Sequence, residues 1–68
     1  MQDNKFGKHL RKLRKRKSLK LSFASYDGDG INPSTISRIE NGQVDPKLST
    51  LIKLADALGM KLKDLVDF

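Results

Sequence analysis

Sixty-eight residues with no cysteine and a single histidine, His9, form one domain, 1–68, with a thin core and neither a disulfide framework nor a Cys/His metal cluster to brace it. Net charge is +6, split as +8 over residues 1–20 (nine Lys/Arg, one Asp) and −2 over residues 21–68 (five Lys/Arg, seven Asp/Glu). That asymmetry favours a polyanionic partner oriented by the N-terminal third, set against the plainer reading of a solvated helix face. No apolar run exceeds two residues, which excludes a signal-peptide core and a membrane span and fits a cytoplasmic setting.

The first helix is expected from Asn4 to Lys17, capped by Asp3 or Asn4. Phe6, Leu10 and Leu13 recur at i, i+4 and i+7, and Lys8, Arg11, Lys12, Lys15 and Arg16 fill the other face. A basic amphipathic helix can also lie on an anionic membrane. Three anchors that a small core already explains make that the weaker reading. A second, short helix is expected from Leu19 to about Tyr26, capped by Ser18 or Ser22, although Leu19, Leu21 and Phe23 alternate as they would in a strand.

Asp27-Gly28-Asp29-Gly30 signals a loop. It cannot be a calcium loop, because positions five and twelve counted from Asp27 are Ile31 and Arg38 rather than oxygen ligands. If this turn faced DNA, Asp27 and Asp29 would repel its phosphates.

Ile31 to Gly42 is the most informative stretch. Asn32 can cap through its side-chain oxygen to the free N–H of Ser34 or Thr35, Pro33 suits the first helical position, and Gly42 supplies the left-handed closing residue. Ile36 and Ile39 share one face, while Asn32, Ser34, Ser37, Arg38 and Asn41 lie largely elsewhere. A helix this short needs neighbours to hold it. It then shows small polar groups and one arginine outward, a surface that suits the major groove of DNA.

Gln43 to Lys47 reads as a connecting loop containing Pro46. Leu48, Leu51, Ile52, Leu54, Ala55 and Leu58 give the strongest helical periodicity in the chain, ended by Gly59. Met60, Leu62, Leu65, Val66 and Phe68 form a last amphipathic turn or two. The expected fold is all-α: five short helices and no sheet.

The segments "LRKLRKRK", "GINPSTISRIENG" and "DPKLSTLIKLADALGM" together resemble the phage-repressor or Cro-type helix-turn-helix family, over nearly the whole chain. "STISRIENG" is the most specific of them. The resemblance implies a lambda-repressor-like five-helix domain whose third helix, residues 33–41, enters the major groove N-terminal end first. Carried over position by position, it puts Asn32, Pro33, Ser34 and Arg38 at base edges. Asn41 and the loop through Lys47 fall at phosphates, and Ser22, Thr35 and Ser37 join them as candidate phosphate contacts. Arg14 and Glu40 fall where relatives pair an arginine with a glutamate, and Gly30 falls at the glycine of the turn.

The residues themselves leave alternatives open. Arg38 has the planar fork that matches guanine O6 and N7, but it can equally clamp a phosphate or stand in solvent. Asn32 divides between capping and contact, and Thr35 between packing and surface. Relatives carry a run like "LSQEELAEKAG" where this chain has "LSFASYDGDG", so a short second helix and a longer turn are expected here.

No nucleophile–base pair or phosphate-binding glycine loop can be assembled, so neither catalysis nor a cofactor is expected. The expected function is sequence-specific regulation of transcription on double-stranded DNA. A homodimer is expected through Leu62, Leu65, Val66 and Phe68, unless those residues close the core instead. The competing class is an antitoxin or helix-turn-helix adaptor whose main partner is a protein, a toxin or co-regulator.

Overall fold

Leu10, Ile36, Ile39, Leu54 and Leu65 are the large side chains that lose all or nearly all contact with water, and every helix but one short turn supplies at least one of them. The computed structural model describes residues 4–25 and 30–68. In chain order these form α1 (Lys5–Arg16), a 3-10 turn (Leu21–Ala24), α2 (Pro33–Glu40), α3 (Leu48–Leu58) and α4 (Leu62–Leu65). The α2 helix packs on both the 3-10 turn and α1, while α3 packs on the turn and α4. Ala24, Ile31, Ala55 and Leu58 complete the core.

The α1 helix begins and ends one residue inside the expected bounds. Asn4 occupies its N-cap position but does not cap it: its backbone is left-handed, with φ 45°, and its side chain makes no bond to the first turn. The side chain instead donates through Nδ2 to the Glu40 carbonyl oxygen at 3.2 Å. The alternative cap, Asp3, lies outside the described residues. At the other end Ser18 takes the left-handed conformation, φ 56°, with its N–H donating to the Lys15 carbonyl at 3.0 Å. A serine there carries a steric cost that a glycine would not.

The second helix is a single 3-10 turn, shorter than the expected Leu19–Tyr26 segment, and Ser25 already has extended backbone. Its i→i+3 bonds run from Phe23 N–H to Lys20 and from Ser25 N–H to Ser22. Ala24 is sealed inside and Leu21 and Phe23 are half-buried. The strand-like alternation thus reflects a tight turn pressed on a core, with no strand among the described residues. Tyr26 and the 27–29 segment, with its acidic turn, lie outside the described residues.

Two apolar groups end up elsewhere than the periodicity implied. Leu65 is 0% exposed and Leu62 half-buried, so both close the core rather than forming a free patch with Val66 and Phe68. Phe68 lies against the rings of Phe6, at 5.7 Å, and His9, at 5.4 Å. On α3 the apolar stripe is wider than the core can cover: Leu48 is 64% exposed and Ile52, one turn later, 48%. Gly59 closes α3 in the left-handed conformation, φ 68°.

Candidate nucleic-acid interface

The surface begins with how α2 is held at both ends. At its start the Asn32 side-chain oxygen accepts from the Thr35 N–H at 2.9 Å, and Pro33 follows at the first helical position. At its end Gly42 turns left-handed, φ 75°, and its N–H donates to the Ile39 carbonyl at 3.1 Å. Ile36, Ile39 and Glu40 are buried. Successive residues are rotated by about 100°, so Ser34, Arg38 and Asn41 fall on the opposite side, and all three are exposed.

Glu40 is a buried carboxylate, and its partner explains why it is tolerated there. Arg14 of α1 donates from Nε to Oε2 at 2.6 Å and from Nη2 to Oε1 at 3.0 Å, a two-pronged pair with side-chain exposures of 11% and 5%. Its remaining Nη1 donates to the Leu19 carbonyl at 2.9 Å. One guanidinium therefore ties α1 to the end of α2 and to the chain leading into the 3-10 turn. The hydrogen bond to Glu40 raises the Arg14 pKa above its ordinary value against the opposing effect of burial, and the nearby charge of Glu40 adds to it.

Close approach completes the seam. A methyl group on Gly7 would stand 2.5 Å from the Ile39 carbonyl oxygen and 2.7 Å from that of Glu40, so the backbones meet there only because Gly7 has no side chain. Neither Gly7 nor the Asn4 bond to Glu40 was read from the sequence. An isolated glycine inside a helical pattern was the available signal for the first; a bond spanning 36 residues left none for the second.

The remaining candidates distribute unevenly. Asn32 is exposed, Pro33, Thr35 and Ser37 are half-buried, and Asn41 Nδ2 lies 3.4 Å from Ser37 Oγ. Ser22 is exposed on the 3-10 turn, and Lys47 is exposed where it immediately precedes α3. Gly30 is half-buried ahead of Ile31, whose N–H donates to the Ala24 carbonyl at 2.8 Å. Asn32, Ser34 and Thr35 are thus brought together by direct bonds, while Ser22 and Lys47 sit on other elements.

A family model described as Helix-turn-helix matches residues 10–65. The chain belongs to the Cro-type helix-turn-helix family of DNA-binding domains. Among solved structures, this helix-turn-helix domain is similar to the restriction-modification controller protein C.AhdI from Aeromonas hydrophila. The two are 38% identical, with 90% of this chain and 87% of that chain covered, at a TM-score of 0.76. Among curated proteins nothing matches it in sequence. Sequence-specific DNA binding in transcriptional regulation, without catalysis, is the function this helix-turn-helix membership carries. Among the described residues no group of three or more His, Cys, Asp or Glu side chains is placed to hold a metal ion, and no helix is long and apolar enough to cross a membrane.

Proposed function

We propose that α2 lies in the major groove of double-stranded DNA, with Asn32, Pro33, Ser34 and Arg38 at base edges. Ser22, Thr35, Ser37, Asn41 and Lys47 would bind phosphates. The supporting observation is that α2 is fixed at both ends, by the Asn32 cap and by the Arg14–Glu40 pair, while Ser34, Arg38 and Asn41 stay uncovered. A rigid element with an unoccupied polar face is what base reading needs. Phosphate contacts supply most of the affinity and the groove contacts most of the selectivity.

One such domain covers one half-site. We infer a homodimer on a palindromic operator, its two α2 helices about 34 Å apart. Leu48 and Ile52, one turn apart and largely uncovered on α3, replace the buried Leu62 and Leu65 as the apolar surface for the second copy. The likeness to the A. hydrophila controller makes DNA beside restriction–modification genes the first place to look for the operator.

Selection of bound sequences from a random duplex pool tests the groove reading, with enrichment of a two-fold symmetric site expected. A log–log salt slope near zero on mixed DNA would favour the protein-binding adaptor, toxin or co-regulator bound, instead. Sedimentation of Leu48→Lys/Ile52→Lys tests the dimer, with a monomer expected.

A further inference from the structure

Asn32 Oδ1 receives two hydrogen bonds, from the Thr35 N–H at 2.9 Å and from Ser34 Oγ at 2.8 Å. Together they fix the direction in which both side chains are polarised. A backbone N–H only donates, so the atom facing it is the amide oxygen of Asn32, and the Nδ2 group, with its two N–H donors, is turned away from the cap. An amide oxygen only accepts, so the proton between Asn32 and Ser34 belongs to Ser34. The Ser34 hydroxyl has then used its one donor and keeps only lone pairs. Arg38, exposed on the same side of α2, carries donors alone.

We infer, on the reading that α2 lies in the groove, that this helix reads base edges with fixed polarity. Ser34 accepts from an exocyclic amine, adenine N6 or cytosine N4. Asn32 and Arg38 donate to purine N7, guanine O6 or thymine O4. Ordinary serine has no such bias, because its hydroxyl turns to suit either kind of partner. Here turning the proton toward a base acceptor breaks the bond to Asn32, a factor of about five in equilibrium constant for an average net hydrogen bond.

The test combines two protein variants with base analogues in the selected half-site. Ser34→Ala keeps the Asn32–Thr35 cap and should relax preference at one position. At that position, a duplex whose adenine or cytosine lacks its exocyclic amine should bind the unaltered protein about fivefold or more weaker, and Ser34→Ala no weaker. Asn32→Asp keeps two acceptor lone pairs for Thr35 and Ser34 but faces the groove with an acceptor. Its thermal midpoint should hold, while the base it selects moves to one bearing an amine on the contacted strand.

Failure to enrich any site would overturn the groove reading and this inference with it. A good half-site would overturn the polarity alone under any of three results. These are no position relaxed by Ser34→Ala, amine removal that costs both proteins equally, and a Ser34-coupled loss that follows removal of a base acceptor, such as N7 in a 7-deazapurine.

Discussion

The α1 and α2 helices are both amphipathic and meet along one seam, yet their outward faces have little in common. On α1 the face turned from the seam carries Lys8, Arg11, Lys12, Lys15 and Arg16, all exposed. On α2 it carries Ser34, Arg38 and Asn41, with one charge among them. A dense, uniform positive field draws in any polyanion and discriminates poorly; short groups with fixed donors and acceptors discriminate and attract little. Attraction and reading are therefore placed on different helices, and the Gly7 and Arg14–Glu40 seam sets the angle between them.

The largest effects come from breaking that seam. Arg14→Ala leaves the buried Glu40 carboxylate without either guanidinium bond, an expected loss of about 3–5 kcal/mol. At roughly 4–8 °C per kcal/mol for a domain of this size, the thermal midpoint should fall by about 12–40 °C. The paired replacement Arg14→Met/Glu40→Leu should recover much of the loss, because neither charge then remains buried. Gly7→Ala forces a methyl against two carbonyl oxygens, and an expected cost of about 1–3 kcal/mol should show in urea melts with an unchanged slope.

Variants on the outward faces sharpen the contrast while leaving the fold intact. Arg38→Ala should relax one base position per half-site, by about 1–3 kcal/mol of discrimination, and leave binding to mixed DNA nearly unchanged. The triple variant Lys8→Gln/Lys12→Gln/Lys15→Gln should do the reverse. Its association rate at low salt should fall several-fold on every sequence, with the selected site unaltered. Lys47→Ala should flatten the salt slope by about one without changing base preference. The smallest expected change is a gain: Ser18→Gly relieves a left-handed serine and should raise stability by roughly 0.5–1 kcal/mol.

The sequence was most legible where the signals are local. Asn32, Pro33 and Gly42 mark both ends of α2 within eleven residues, and the structure uses each of them as those residue types imply. The 3-10 turn was harder because Leu21, Phe23 and Ala24 owe their placement to α2 and α3 packing over them, which no short-range pattern encodes. Periodicity also counts apolar residues without knowing how wide the core is. It therefore grouped Leu48 and Ile52 with Leu54, although only Leu54 is sealed, and grouped Leu65 with Phe68, although the core takes only Leu65. Among the site residues, burial separates Glu40 from Arg38 but does not choose between a base and a phosphate for Arg38. That choice depends on how deep the helix sits, a property of the complex rather than of the chain.

Asn4 and Gly7, at the start of α1, and Gly42, just past α2, share one small volume: the Asn4 side chain fills space that a methyl on either glycine would need. Libraries randomised at any one of these positions should return few folded clones. A smaller side chain at position 4 would free that space, yet a methyl on Gly7 would still press on two carbonyl oxygens and one on Gly42 would still meet a left-handed backbone, φ 75°. Survivors of a library randomised at all three should therefore keep both glycines, with any tolerated change confined to position 4.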